Sequence, residues 1–255
     1  MTENYLTFFA AGFVIFFALY NFFDSISIFA RAAGGRNGQN AMGFAFQNIV
    51  NTVKRVFLSV LPPLLGIQIV AGDLRLIKIC IFMALFSSIF TIMLPIFFRH
   101  RLLTYFGKVY RYYSRYENLC FSLRAPLQAL FSSKSKNSDV PASDRTKESI
   151  GLGLRKKKFF IFGGAVAYFF LGQTFIILNI ISFFSPEYSV IVLQMNAFFT
   201  GIGAVILSMY LDPKITNQLD KSVNENLVID IMLAMRILGI VLGILSFGFL
   251  SIYIL

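Results

Sequence analysis

The sequence predicts an all-α, polytopic membrane bundle of about six transmembrane helices. Three observations carry that prediction. Hydrophobic residues make up 57% of the 255-residue chain, and the mean hydropathy is +0.72. Charged residues supply 14%, against about a quarter in a soluble domain. Several apolar runs reach or approach the roughly 20 residues that carry a helix across a bilayer. They far exceed the roughly ten alternating residues of a membrane-barrel strand.

The first span is expected at about residues 5 to 29, followed by a Gly-rich turn, Arg31-Ala-Ala-Gly-Gly-Arg36-Asn-Gly. No cleavable leader is read at the start, because only MTENY, without Lys or Arg, precedes an apolar run long enough to span. The second span, about 42 to 70, is the least apolar. It holds Gln47, Asn48, Asn51, Lys54 and Arg55, and Pro62-Pro63 should bend or break it near its far end. A polar turn at Gly72-Asp73 leads to the third span, about 76 to 98.

Residues 99 to 131 mix bases with Tyr, Phe and Leu at helical spacing and read as amphipathic helix at the membrane surface. Residues 132 to 158, rich in Ser, Lys, Asn and Asp and closing on Arg155-Lys-Lys-Lys158, read as a linker. Its Gly151-Leu-Gly153 is too short to be a phosphate loop. The fourth span is expected at about 159 to 184 and the fifth at 189 to 211, joined by a tight turn. A polar loop from Asp212-Pro213 to Lys221 then precedes the sixth, from about 227 onward. The organisation is therefore 1–98, a first three-helix half; 99–158, a basic amphipathic segment and linker; and 159–255, a second three-helix half. Three spans on each side, running in opposite senses, is the arithmetic of a 3+3 inverted repeat.

The net charge of +11 is read as loops facing an anionic leaflet rather than as a nucleic-acid surface. Lys/Arg bias places 99–158 in the cytoplasm and, counting outward, both termini outside. Cys80 and Cys120 form no CxxC and give no metal or redox framework, and the single His100 sits in a basic junction. No cofactor motif and no catalytic signature appears, so the chain is not expected to be an enzyme.

Charges inside a span cost about 2.5–3.5 kcal/mol each on insertion scales, so they mark function or pairing. At 100° per residue, Asn48, Asn51, Thr52, Arg55 and Ser59 share one arc of the second span, with Gln47 and Lys54 on its flank. That stripe reads as the lining of a cavity, the alternative being an interhelical hydrogen-bond seam. Asp24, beside Asn21 and Ser25, is expected as a counter-ion of Arg31, Lys54 or Arg55, or as a coupling carboxylate. Arg31 and Arg36 flank Gly34-Gly35 and could fork onto a phosphate, or simply obey the positive-inside rule. Arg236 lies two to three turns into the sixth span, either buried or snorkelling. Gly201, Gly203, Gly239 and Gly243 allow close helix approach.

Two blocks resemble the Amj family, bacterial lipid II flippases known as the alternate to MurJ. The first is Arg31-Ala-Ala-Gly-Gly-Arg36-Asn-Gly with Asn48, Arg55 and Pro62-Pro63-Leu-Leu-Gly66. The second is Phe199-Thr-Gly201 through Leu211-Asp212-Pro213, then Asp220 and Arg236-Ile-Leu-Gly239. The Gly-Gly before Arg36, the Phe-rich spans and the long basic middle depart from the family. The resemblance implies transfer of lipid II, or a related polyprenyl-pyrophosphate glycolipid, from the inner to the outer leaflet of a bacterial cytoplasmic membrane. It implies Arg31, Arg36, Arg55 and Arg236 at the pyrophosphate and Asn48, Asn51 and Asp24 at sugar or peptide. Asp212 and Asp220 enter as acidic charge partners. Without an ATP motif, the energy would come from an ion gradient, membrane potential or downstream consumption. A second copy of the chain is the further partner considered. The competing readings are a flippase for another polyprenyl-linked glycan, a membrane enzyme acting on lipid phosphates, and a scaffold for cell-wall synthesis.

Overall fold

Gly34 and Gly43 bring the first two helices together backbone to backbone: a Cβ on Gly34 would stand 2.4 Å from Gly43 Cα. Small residues at a crossing let membrane helices pack by dispersion where lipid provides no hydrophobic drive. The computed structural model describes residues 3–119, 121–124, 158–220 and 225–253. The chain runs α1 (Glu3–Arg36), α2 (Asn40–Ala71), α3 (Leu74–Phe97) and α4 (Arg99–Tyr116). It resumes with α5 (Lys158–Gly172), α6 (Thr174–Phe184) and α7 (Ser189–Val205). A π-helical turn, Ile206–Leu211, joins α7 to α8 (Asp212–Asp220), and α9 (Glu225–Tyr253) closes the bundle. Among the described residues there is no strand.

Five helical segments are long and apolar enough to cross a membrane, and α5 with α6 makes a sixth span if the pair, bent by 51°, is taken as one. The expected single helix over 159–184 is thus broken at Gly172-Gln173. Gln173 and Gly243 meet there, the side chain of Gln173 filling the space a Cβ would occupy. Three other expectations are corrected. The Arg31–Arg36 turn is helical and belongs to α1, because Gly34 is packed on α2; the turn itself is Asn37–Gln39. Pro62 and Pro63 do not break α2, which continues to Ala71, a tolerance common in membrane helices. Residues 212–220 are helix rather than loop, with Asp212 at the favourable N-terminal end of the helix dipole.

α1 is the hub and packs on α2, α3, α4, α8 and α9, while α9 packs on α5, α1 and α3. Gly203 of α7 and Gly239 of α9 both pack on α5 backbone: a Cβ would meet Ala167 O at 2.8 Å and Ala165 O at 3.0 Å. Gly201 faces open space. The second half thus opens on a broken span where the first has three unbroken helices.

α4 is the basic amphipathic helix. Its apolar stripe of Leu103, Phe106, Val109 and Tyr110 is buried, and Tyr110 donates to Ala30 O of α1. Burial pushes the Tyr110 hydroxyl well above its ordinary pKa, so it remains a donor. Arg111, Tyr112, Arg115 and Tyr116 stay exposed on the opposite face. The helix therefore uses its apolar side to brace α1. The 125–157 part of the basic segment, including Gly151 and Gly153, lies outside the described residues, as does Cys120.

Candidate functional site

Charged pairs are stacked in three tiers along the bundle, from the α4 end inward. The outermost joins Arg36 of α1 to Glu225 of α9 at 3.9 Å, both partly exposed. Nearby, Arg99 bonds Asp230 at 3.1 Å and Asn226 O at 2.6 Å. Such exposed pairs contribute little to stability, about 0–1 kcal/mol.

The second tier is built on Arg31, 3% exposed and about 8 Å along α1 from Arg36. Its guanidinium pairs with the Asp212 carboxylate and donates to Asp212 O at 3.1 Å and Thr216 Oγ1 at 2.7 Å. It also donates to Gln47 Oε1 at 3.3 Å and lies 5.3 Å from the Phe44 ring. Asp212 and Thr216 stand one turn apart at i, i+4, so α8 offers both to one arginine. Asp212→Asn removes the only carboxylate this arginine pairs with among the described residues. The variant is expected to lose about 1–3 kcal/mol, less than a fully buried pair because Asp212 is partly solvated, as read by thermal unfolding in detergent micelles.

The third tier lies deepest. Asp24 is about 18 Å along α1 from Arg36, Lys54 about 21 Å into α2 and Arg236 about 16 Å into α9, so three helices bring them to one depth. The Asp24 carboxylate takes Lys54 on one oxygen and Arg236 on the other. Arg236 also donates to Ser27 Oγ at 3.3 Å, and its guanidinium lies 4.8 Å from the Tyr168 ring of α5. Lys54 sits 5.4 Å from the Tyr20 ring. Arg236 Nη1 is buried with no hydrogen-bond partner among the described residues. The arginine of α9 is therefore buried and does not snorkel.

Two cavities lie along the seam between α2 and the α7–α8 segment. One, about 670 Å³, is lined at the second tier by Arg31, Phe44, Ser208, Asp212, Thr216 and Asn217, among others. The other, about 260 Å³, lies farther along α2. Arg55, Leu58, Ser59 and Pro62 form one wall, Asn196 and Thr200 of α7 the other, with Leu171 of α5 and Phe175 of α6 between them. Arg55 and Ser59 are exposed, so this cavity opens sideways on the bundle. Among the described residues Arg55 has no counter-ion.

The stripe on α2 thus divides. Asn48, Thr52, Arg55 and Ser59 are exposed, and of these Arg55 and Ser59 line a cavity of the seam while Asn48 and Thr52 line neither. Asn51 is half-buried, and its Oδ1 has no hydrogen-bond partner among the described residues. Gln47 and Lys54 turn inward to Arg31 and Asp24. Of the arginines expected at an anion, Arg31 and Arg236 are occupied by carboxylates, Arg36 is peripheral, and Arg55 faces a cavity. Asp220 ends α8, and its side chain lies outside the described residues. Sequence reasoning did not select Thr216, Tyr20, Tyr168 or Thr200. An i, i+4 signal was present for two of these, in Asp212/Thr216 and in Asn196/Thr200. Among the described residues no group of three His, Cys, Asp or Glu could hold a metal ion. Comparison with models of known families, with characterised proteins and with solved structures finds no match in any of the three.

Proposed function

We propose that this chain is a flippase carrying a polyprenyl-pyrophosphate-linked glycan, lipid II by its resemblance to the Amj family, across the bacterial cytoplasmic membrane. The observation that carries the reading is the sideways-opening cavity in which Arg55, among apolar, hydroxyl and amide side chains, has no counter-ion among the described residues. An unpaired arginine well inside an apolar span is costly unless an anion completes it. A guanidinium offers five donors in a planar fork suited to phosphate oxygens, and Asn196, Ser59 and Thr200 supply neutral donors beside it. A cavity open at the side of the bundle lets a headgroup enter while its hydrocarbon tail remains in lipid. In this reading the α4 end faces the cytoplasm, where the larger cavity would receive the headgroup, and both termini lie outside.

Cells depleted of their main lipid II flippase provide the test. Arg55→Ala should reach the membrane at normal level yet fail to restore outer-leaflet lipid II, with a loss of at least about tenfold in the labelled pool. Full rescue by Arg55→Ala at equal membrane abundance would remove the cavity from the mechanism.

A further inference from the structure

The deepest tier is not electrically balanced. One carboxylate, Asp24, serves two cations, Lys54 and Arg236, and no other acidic group pairs with either among the described residues. The second tier is balanced by Arg31 and Asp212, so it has no charge to lend. The groups facing Lys54 are Asp24 and Tyr20 of α1 and Arg236 of α9, and Arg55, next to it on α2, turns to the cavity but acts on it through its charge. Tyr168 of α5 faces Asp24 and Arg236. The surplus in this set is positive, and the unpaired Arg55 adds to it. Low dielectric makes an uncompensated charge costly, so the cluster must bind an anion or give up a proton. Arginine holds its proton under all ordinary conditions, whereas a buried lysine amine can exchange one. Lys54 is also the least enclosed member of the trio, with 16% of its side chain exposed against 6% for Asp24 and 3% for Arg236.

We infer that Lys54 is a proton-exchanging group, so that an anionic headgroup binding at Arg55 is accompanied by proton uptake at Lys54 Nζ. The inference rests on the flippase reading and adds what balances the cargo's charge. With the cavity empty, Lys54 gives its proton to water and leaves Asp24 paired with Arg236. When the anion binds at Arg55, one residue farther along α2, its charge favours the ammonium, water returns that proton, and Lys54 pairs with Asp24 as a cation. Release of the headgroup reverses the exchange. Linkage fixes the sign: binding that takes up a proton weakens as pH rises through the titration of Lys54.

The test is calorimetric titration of the full chain in detergent micelles with farnesyl pyrophosphate, in buffers of different ionisation enthalpy, from about pH 6 to 9. The ligand's own protons appear in every protein, so the readout is the difference between proteins. The wild type should take up about half a proton or more per ligand beyond Lys54→Arg, which keeps the charge and cannot exchange it. Lys54→Met leaves a balanced Asp24–Arg236 pair, folds on that account, and should lose the same uptake. Equal proton exchange in all three proteins overturns the inference and leaves the flippase reading standing. Failure of the wild type to bind farnesyl pyrophosphate overturns both.

Discussion

Asp24→Asn should destabilise the protein by about 3–5 kcal/mol, seen as a midpoint lowered by on the order of 10 °C when purified protein is heated in detergent. The magnitude follows from what remains. Lys54 and Arg236 both pair with the Asp24 carboxylate, and in the variant they would face one another across a neutral amide inside the apolar part of the bundle. Breaking a buried pair by removing one partner leaves a desolvated charge, and here that charge is Arg236, which keeps its proton under all ordinary conditions. The triple variant Asp24→Asn, Lys54→Met, Arg236→Met should recover most of the loss, because replacing a whole ionic group by apolar side chains is often neutral or stabilising. A triple variant no more stable than Asp24→Asn would show that the charges are not the source of the effect.

Gly34→Val should be comparably damaging for a steric reason. The new Cβ would sit 2.4 Å from Gly43 Cα and 2.8 Å from Gly43 N, and backbone cannot swing aside. α1 and α2 must part, at a cost of at least about 3 kcal/mol. The parting also pulls Gln47 from Arg31 and strains the pairing of Lys54 with Asp24. Gly66→Ala is the control, since a Cβ there meets nothing within 4 Å. It should be neutral or stabilise by up to about 1 kcal/mol, because alanine is the better helix former. Equal melting curves for the two variants would remove the crossing as the determinant.

Run length and hydropathy were enough to read the membrane class, the helical content and the places of most spans. What they could not read was interruption. The break at Gly172-Gln173 lies inside an apolar run and is marked only by the short Gly172-Gln-Thr174 stretch. Residues 212–220 look like a loop by polarity, yet they are helical because Leu211, Ile215 and Leu219 are buried on one side and Arg31 holds Asp212 and Thr216 on another. The α2 stripe was legible from its 100° spacing. Its division between Lys54, turned to Asp24, and Arg55, turned to the cavity, was not, because neighbouring residues differ by only one such step and the partners come from α1 and α7. Pairing of Arg31 with Asp212, and of Asp24 with Arg236, joins residues far apart in the chain, and single-sequence patterns carry no such distance information.

The deepest tier also bears on how the chain is made. Its carboxylate leaves the ribosome in the first helix, its lysine in the second and its arginine in the last. Asp24 and Lys54 can enter the bilayer together as a neutral pair, each sparing the other the expense of solitary insertion. Arg236 follows about 200 residues later, tens of seconds at ordinary elongation rates. Until then Asp24 and Lys54 balance one another, and α9 docks onto a carboxylate already half engaged. The surplus charge is thus installed as the final act of biogenesis, when α5 and α1 are in place to enclose it.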